Sequence, residues 1–346
     1  MRALYLLTLL PVALIGESLT LDNGTAKIVW DLSGGGLVDF QLKEQPINPF
    51  TWEEKSTAPA HFRGHFLCLD RWGAPSAAEI SAGVPFHGEA SRVEWRQIGK
   101  TATEAEMTAR LPLAKLGIKR TIKLDGVTAL VTESVTNEAP LGRVFNMVQH
   151  PTIGPPFLDA TVVVDSNARR GFMQSSPMPN PEYPTVVWPQ ALQDGVPVNL
   201  RMLKDDPMPN VVSYVVDEEF GWVTALNPGQ RLVVGYVWKT AEYPWLNIWR
   251  DVQGGKPSAR GLEFGTTGLH QPLPILTKKG SIFGRSLFAF IDATETQTRR
   301  YQVFLAKLPA TASGIVQVRR MGAGEWVLVT REGQEARVKD LLAGAQ

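Results

Sequence analysis

The chain has 346 residues, of which 44% are hydrophobic, 20% charged and 9% aromatic. This length and composition are typical of a globular protein with a large core, built as one large β domain or as two smaller domains. The 35 Lys and Arg residues nearly balance the 34 Asp and Glu residues, which leaves a net charge of +1. The balance excludes a basic field that would hold nucleic acid and an acidic, disordered tail.

The N-terminus has the pattern of a secretory signal peptide. Arg2 supplies the positive charge, and an apolar run follows over residues 3–15. Gly16 and Ser18 then offer small residues at the two positions that determine cleavage. The run is too short to span a bilayer comfortably, so a retained anchor is the weaker alternative. We predict a signal peptide over residues 1–18, an exported mature chain, and no stable membrane insertion after cleavage.

Short runs of β-branched and aromatic residues recur along the rest of the chain, bounded by Gly, Pro, Asn or Asp. They span residues 26–32, 36–43, 62–70, 91–98, 211–216, 221–226, 232–238, 283–291 and 301–308. No long stretch has the 3.6-residue period of an amphipathic helix, and no internal repeat or clear linker divides the sequence. The pattern predicts an all-β protein with a single domain over residues 19–346.

The clearest local unit is a β-hairpin with its turn at residues 125–126, an Asp-Gly pair. Even positions of residues 116–124 are apolar except for Arg120, and Glu133 interrupts the apolar face of the second strand. Such a turn sets Arg120 opposite Val131, so that Arg120 and Glu133 become diagonal neighbours. We favour an ion pair that faces inward and satisfies itself. The alternative is that both side chains face a polar cavity between sheets.

Two segments differ from the regular strand pattern. Residues 168–210 contain eight of the 25 prolines, and a segment of this length without regular structure is uncommon inside a compact domain. We predict an ordered excursion over one end of the sheets. Residues 313–342 alternate Val and Leu with polar residues and predict two or three further strands.

The sequence offers few metal or nucleophile motifs. The lone Cys68 cannot form an internal disulfide, and its apolar neighbours favour a buried, inert thiol. His61 and His65 would share one face of a strand near Cys68, but nothing completes a metal site. The sequence also has no Gly-x-Ser-x-Gly elbow, no phosphate-binding Gly-rich loop and no Cys pair with zinc spacing.

Three ionisable residues stand alone in apolar sequence punctuated by Gly and Pro. They are His87 in PFHGE, His150 in QHPTIGPPF and Glu263 in RGLEFG. Each one alone could be structural: a turn histidine, a strand cap held extended before proline, and a charge at a sheet edge. Together, two imidazoles and a carboxylate are enough to move protons on a substrate without a covalent intermediate.

The order of these motifs resembles that of the aldose 1-epimerase (galactose mutarotase) family, from about residue 19 to about residue 308. The resembling segments, in chain order, are NGTAKIV at 23–29, GGGLVDF at 34–40, DRWG at 70–73, HG at 87–88, NMVQHP at 146–151 and GLE at 261–263. Gln149 stands where the family usually has Asn before the histidine, and residues 151–157 replace an aromatic Asn-Leu stretch. The Pro-rich excursion has no counterpart.

The resemblance implies a large antiparallel β-sandwich of the galactose mutarotase-like supersandwich type, and an enzyme that interconverts the anomers of an aldose. Glu263 would take the proton from the C1 hydroxyl, and His150 would protonate the ring oxygen. His87 would polarise or orient the sugar, and Arg71 would bind a hydroxyl. Glu263 and His150 should then face one cavity, about a sugar ring apart. The reaction requires neither a metal nor an organic cofactor.

Aromatic residues that could contact a sugar crowd residues 236–249. They are Tyr236, Trp238, Tyr243, Trp245 and Trp249. Most are expected to be core residues, because aromatic side chains are mainly packing material. We select Trp249 and Asn247 for ligand contact, since polar residues interleave with the rings there.

The expected partner is a monosaccharide or the end of a glycan, and no nucleic acid; the oligomeric state stays open. Two other functions are compatible with the resemblance, because a fold does not fix a function. One is a non-catalytic carbohydrate-binding protein. The other is a different carbohydrate-active enzyme, such as a lyase or a glycosidase-associated domain. A phosphosugar epimerase is disfavoured, because it would need a cluster of Arg or Lys at its site.

Overall fold

The computed structural model describes residues 18–54, 61–202, 210–322 and 324–343. The predicted signal peptide lies outside these residues, apart from Ser18, which begins the first strand. Within the described ranges, no helix is long and apolar enough to cross a membrane.

The described residues form many strands and two short helices. The first elements are β1 (Ser18–Asp22), β2 (Ala26–Asp31), β3 (Leu37–Leu42), β4 (His65–Leu69), α1 (Ala77–Ser81), β5 (Arg96–Lys100), β6 (Glu104–Leu111), β7 (Leu116–Asp125) and β8 (Thr128–Asn137). They continue with β9 (Arg143–Phe145), β10 (Met147–Ile153), β11 (Val163–Ser166), β12 (Arg170–Met173), β13 (Val186–Val187), β14 (Gln190–Gln193), β15 (Val196–Asn199), β16 (Asn210–Val215), β17 (Phe220–Asn227) and β18 (Leu232–Lys239). The last are β19 (Trp245–Gln253), β20 (Lys256–Gly265), α2 (Leu273–Lys279), β21 (Ser281–Ile282), β22 (Arg285–Ser286), β23 (Ala289–Ile291), β24 (Thr296–Lys307), β25 (Ile315–Met321), β26 (Glu325–Thr330) and β27 (Glu335–Lys339).

Two large antiparallel sheets dominate this architecture. The ten-stranded sheet has the order β1-β2-β3-β4-β10-β20-β19-β16-β12-β13, and the eight-stranded sheet has the order β11-β17-β18-β24-β8-β7-β6-β5. Because side chains alternate between the two faces of a strand, each sheet turns one apolar row toward the other. Residues such as Leu246, Leu262 and Phe264 of the first sheet join Val131 and Val135 of the second in one core. The predicted all-β, antiparallel sandwich is confirmed.

The β7–β8 hairpin forms as predicted, but its register differs. Asp125 pairs with Thr128, so that Arg120 lies directly opposite Glu133 and not diagonal to it. The turn residues are 126 and 127, because the left-handed conformation falls on Gly126 (φ +60°) while Asp125 stays in the strand. The predicted diagonal pairing is therefore wrong by two residues.

The Arg120–Glu133 ion pair lies buried between the sheets. Arg120 Nε donates to Glu133 Oε1 at 2.7 Å, and an Arg120 guanidinium N–H donates to the Gly35 carbonyl. The guanidinium also lies over the rings of Trp30 and Trp95, at 4.6 and 4.3 Å from the ring centroids. The inward-facing ion pair that we favoured from the sequence is confirmed, but the pair does not satisfy itself, because Glu133 Oε2 also accepts from Gln149.

The two atypical segments add strands to the sandwich. In the Pro-rich excursion, β12 and β13 extend one edge of the ten-stranded sheet, and β14 and β15 form a separate hairpin; residues 203–209 lie outside the described residues. The C-terminal segment forms the three-stranded sheet β25-β26-β27, as the alternation predicted. Its Trp326 and Leu328 pack on Trp222 and Phe304 of the eight-stranded sheet. The strand predicted at 91–98 is displaced: residues 91–95 precede β5 as a loop that buries Trp95.

Candidate active site

The ten-stranded sheet presents two of the predicted catalytic residues on adjacent strands. In β10, the side chains of Gln149 and His150 point to opposite faces because strand residues alternate. Gln149 enters the core between the sheets, where it bonds to Glu133, while His150 lies on the opposite face of the sheet beside Glu263. The β10–β20 register pairs Val148 with Gly265 and Thr152 with Gly261, which brings His150 opposite Glu263. A long separation in sequence thus becomes direct contact across two strands.

These residues line a cavity of about 250 Å³. Its polar lining consists of Glu54, His87, His150, Glu263 and His270. Most of its remaining wall is aromatic and consists of Trp52, Phe62, Phe66, Trp72, Phe86 and Trp249. The structure therefore brings four of the six predicted site residues around one space: Glu263, His150, His87 and Trp249.

The Glu263 carboxyl accepts one hydrogen bond, contacts the His150 imidazole and is almost completely buried. Its Oε1 lies 3.2 Å from His150 Nε2, and its Oε2 accepts a hydrogen bond of 2.7 Å from the indole N–H of Trp72. Burial raises the pKa of Glu263 well above its usual range, because the charged form loses hydration; the indole N–H opposes this in part. The carboxyl therefore keeps a proton under conditions where an exposed glutamate is ionised.

His150 is held by a stacked ring and by a contact at each of its nitrogens. The ring stacks on Phe66 with centroids 4.1 Å apart, and Nδ1 lies 3.0 Å from Thr152 Oγ1. Burial lowers the pKa of His150 to about 3, so the imidazole is neutral. His150 Nδ1 and the Thr152 hydroxyl form a hydrogen bond, and Nε2 faces the Glu263 carboxyl. Both side chains line one cavity, as predicted, but the predicted separation of a sugar ring is wrong, because Glu263 Oε1 and His150 Nε2 lie 3.2 Å apart.

His87 reaches the cavity from a strained turn. Its φ of +62° lies in the left-handed region, and that of the following Gly88 is +76°. A Cβ at Gly88 would lie 2.1 Å from the Leu69 carbonyl oxygen, so the close approach to β4 requires glycine. The backbone N–H of Gly73 donates to His87 Nδ1 at 3.0 Å, which leaves the proton on Nε2. Burial lowers the pKa of His87 well below its usual range, with His150 as a further cause.

Arg71 and Asn247 are not among the described residues that line the cavity. Arg71 bonds to Asp70 and to Glu79, with nitrogen–oxygen distances of 2.8 Å for both ion pairs. Glu79 belongs to α1, where it also completes a capping box with Ser76. Asn247 pairs directly with Glu263 on β19 and is fully buried, and its amide donates to the Thr267 carbonyl at 3.2 Å.

The aromatic residues of the 236–249 stretch divide as expected. Tyr236, Trp238, Tyr243 and Trp245 are fully buried, and Trp249 is the one of the five that lines the described cavity. Its ring lies edge to face against Trp52, with centroids 5.5 Å apart. Four rings therefore stabilise the fold and one is available to a ligand.

Sequence reasoning missed Trp72 and His270. Trp72 follows Arg71 in the quoted DRWG motif, and its importance is visible only through its bond to Glu263. His270 lies between Gly268 and Pro272, the same Gly/Pro-punctuated context that singled out His87 and His150, so the signal was present. Its ring lies 4.7 Å from that of Trp72, and burial lowers its pKa to about 4.

The cavity's histidines do not form a metal site in the part of the chain that the structure describes. No group of three or more His, Cys, Asp or Glu side chains there is arranged to hold an ion.

The chain resembles known proteins in its structure rather than in its sequence. No family model and no curated protein matches the chain's sequence. A galactose mutarotase-like protein from Clostridium acetobutylicum superposes with a TM-score of 0.62 at 14% identity, covering 84% of this chain and 95% of that one. A galactose mutarotase-like protein from Lactobacillus casei gives 0.61 at 14% identity over 84% and 100%. A galactose mutarotase related enzyme from Lactobacillus acidophilus gives 0.61 at 12% identity over 84% and 98%.

At identities this low, the likeness establishes the fold alone. The order of motifs in the sequence and the arrangement of the two sheets lead to the same architecture. The chain has the galactose mutarotase-like fold.

Proposed function

We propose that the protein is an aldose 1-epimerase that interconverts the α and β anomers of a free monosaccharide or of the reducing end of a glycan. One observation carries the proposal: a buried carboxyl and a buried imidazole, Glu263 and His150, lie 3.2 Å apart and line one cavity of about 250 Å³. The fold supports it as an analogy.

Anomer interconversion needs one group that accepts a proton and one that donates a proton, with no net change. The C1 hydroxyl loses its proton while the ring oxygen gains one, the ring opens, C1 rotates, and closure reverses the transfers. Both oxygens are bonded to C1, so the acid and the base do not need to lie a ring's width apart. The hemiacetal replaces the direct contact between Glu263 and His150 and bonds to both.

The resting protonation state assigns a first role to each partner. The Glu263 carboxyl holds the proton and donates it to the ring oxygen, while His150 Nε2 accepts the proton of the C1 hydroxyl. During ring closure Glu263 takes back the proton of the ring oxygen and His150 returns its proton to the C1 oxygen, as microscopic reversibility requires. The same pair with the proton on His150 gives the assignment that the sequence resemblance implied, with Glu263 as base and His150 as acid.

Two neighbours support this chemistry. His87 presents Nε2–H as a hydrogen-bond donor that orients the sugar, since its Nδ1 accepts from Gly73. Trp249 offers an indole face on which the C–H groups of a pyranose pack. We also propose that residues 1–18 act as a signal peptide and that the protein is exported, which N-terminal sequencing of the mature protein tests.

The direct test follows the optical rotation of freshly dissolved α-D-glucose and α-D-galactose with purified protein. Glu263→Gln and His150→Ala should each lower the rate at least 100-fold, because general acid–base catalysis contributes roughly 10²–10⁴-fold. Glu104→Gln is the control and should leave the rate unchanged, because Glu104 is an exposed carboxylate of β6 that does not line this cavity. A wild-type rate equal to that of the two variants contradicts the proposal.

One observation favours a second candidate, a non-catalytic carbohydrate-binding protein. Six aromatic rings line the cavity, and such walls bind sugars without any chemistry. If the wild type binds a sugar in calorimetry but does not speed mutarotation, the binding function replaces the catalytic one.

A further inference from the structure

Thr152 lies beside His150 on the same face of β10. Only Pro151 separates the two residues, and alternate residues of a strand share a face. Thr152 is fully buried, and its backbone pairs with Gly261 of β20, the strand that carries Glu263. It is not among the described residues that line the cavity. We therefore expect Thr152 to act on a bound sugar only through a neighbouring side chain.

The Thr152 hydroxyl contacts the imidazole nitrogen that faces away from Glu263. Thr152 Oγ1 lies 3.0 Å from His150 Nδ1, whereas His150 Nε2 lies 3.2 Å from Glu263 Oε1. The same hydroxyl oxygen lies 3.5 Å from the backbone carbonyl oxygen of His150. A hydroxyl has one proton, and a neutral imidazole carries a proton on one nitrogen only. The direction of one bond therefore determines the direction of the next.

The direction can be determined from the other end of these contacts, at Trp72. The indole N–H can only donate, and it donates to Glu263 Oε2 at 2.7 Å. In a protonated carboxyl the carbonyl oxygen is the better acceptor, so the proton of Glu263 belongs on Oε1, which faces His150 Nε2. Burial favours this neutral pair, because it raises the pKa of Glu263 and lowers that of His150 to about 3. Nε2 therefore accepts, and Nδ1 carries the hydrogen.

The backbone carbonyl of His150 leads to the same tautomer. A carbonyl oxygen only accepts, so it takes the proton of the Thr152 hydroxyl, whose oxygen then accepts from Nδ1–H. This carbonyl also favours a proton on the ring, and it opposes in part the burial that lowers the pKa of His150. The proton of a histidine ring lies on the nitrogen that has an acceptor beside it, which here is Nδ1.

We propose that Thr152 is a positioning residue, which holds His150 in the tautomer with its proton on Nδ1, so that Nε2 faces Glu263 as an acceptor. The effect on catalysis rests on the proposed function, but the tautomer does not. Thr152→Val keeps the shape of the side chain and removes the hydroxyl. It should lower kcat for mutarotation about tenfold with little change in KM; tenfold corresponds to about 1.4 kcal/mol, the size of one neutral hydrogen bond. Thr152→Ser restores the hydroxyl and should recover most of the rate.

Nitrogen-15 NMR of the imidazole rings and polarimetry test the proposal with the purified protein. The signals of His150 are those that disappear in His150→Ala, and their shifts distinguish a protonated from an unprotonated ring nitrogen. We expect Nδ1–H in the wild type and in Thr152→Ser, and a larger share of Nε2–H in Thr152→Val. Thr224→Val is the matched control and should change neither tautomer nor rate. Thr224 is also buried, and its hydroxyl also lies 3.5 Å from a backbone carbonyl, that of Asp165 in the other sheet.

The nitrogen shifts and the rates separate this inference from the function on which it rests. A wild-type His150 with its proton on Nε2 overturns the inference, and so does a Thr152→Val variant that keeps the wild-type tautomer or keeps the full kcat of an active wild type. If the tautomer changes as expected but the wild type does not speed mutarotation, the proposed function fails and the control of the tautomer by Thr152 stands. Thr152→Ala gives the same readouts where Thr152→Val does not fold.

Discussion

Trp72 donates its indole N–H to Glu263 Oε2 at 2.7 Å. The bond occupies the carboxyl oxygen that faces away from His150, so Oε1 alone is directed at the imidazole. It also opposes the effect of burial on the pKa of Glu263, because it favours the ionised form. Trp72 thus sets both the direction and the proton affinity of the carboxyl, although it is not itself a proton donor to the reaction.

Trp72→Phe should reduce kcat for mutarotation about 10- to 100-fold. A hydrogen bond to a charged group is worth roughly 1.5–3 kcal/mol, and about 1.4 kcal/mol corresponds to tenfold in rate. The pKa of Glu263 should rise further, which moves the alkaline limb of the kcat profile to higher pH. Trp249→Phe, which leaves the bond to Glu263 intact, is the control and should act mainly on KM. Equal losses of kcat in both variants, with unshifted pH profiles, contradict the positioning role of Trp72.

The pH dependence of activity follows from the two shifted groups of the pair. Burial lowers the pKa of His150 to about 3 and raises that of Glu263. His150 therefore stays neutral, and able to accept a proton, down to about pH 3, and Glu263 keeps its proton beyond its usual range. We expect kcat/KM, which reports the free enzyme, to stay level between pH 7 and pH 4 and to fall at alkaline pH. An acid limb near pH 6.5, measured while circular dichroism confirms folding, would contradict this protonation state.

Stability should decline on acidification, because buried histidines resist protonation. Burial lowers the pKa of His270 to about 4, whereas a histidine in the unfolded chain has a pKa of about 6.5. Between these values the unfolded state binds more protons than the folded state. The free energy of unfolding therefore decreases as the pH falls from 6.5 towards 4. His270→Phe, which keeps a ring against Trp72, should reduce the slope by about 1 kcal/mol per pH unit. Urea unfolding at pH 4.5, 5.5 and 6.5 measures the slope; an unchanged slope contradicts the argument.

The sequence predicts well whatever depends on local alternation. The strands, the three C-terminal strands and the inward-facing Arg120–Glu133 pair follow from periods of two residues and from turn residues. The grouping of His87, His150 and Glu263 could be predicted from their shared setting, lone polar residues in apolar, Gly/Pro-punctuated sequence. That setting is a physical signal, because an ionisable residue in such sequence is either satisfied inside the protein or part of a site.

The remaining features depend on contacts between distant segments. Nothing in the sequence around Arg71 determines whether its guanidinium turns to the cavity or to a carboxylate of its own segment. Ser76 and Glu79 have the spacing of a capping box, which predicts the start of α1 but not the contact of Glu79 with Arg71. The 3.2 Å contact of Glu263 with His150 depends on the β10–β20 register, which the sequence does not specify.

A substitution at Gln149 should change the stability of the protein without changing its activity. Its amide N–H group donates to Glu133 Oε2 at 2.5 Å and to the Tyr243 hydroxyl at 3.2 Å, and its Oε1 lies 3.1 Å from His65 Nε2. Gln149→Leu should lower the free energy of unfolding by about 2–4 kcal/mol, because a buried carboxylate loses a donor. The folded variant should keep its activity, since this side chain faces away from the cavity.

Urea unfolding and polarimetry on the same samples measure both consequences of Gln149→Leu. Gln97→Leu, on the exposed strand β5, is the matched control and should change stability by less than about 0.5 kcal/mol. Wild-type stability in Gln149→Leu would mean that Glu133 finds another donor in place of the Gln149 amide. Loss of activity at full stability would instead mean that the core network and the cavity are coupled through β10, against the separation of faces that strand alternation provides.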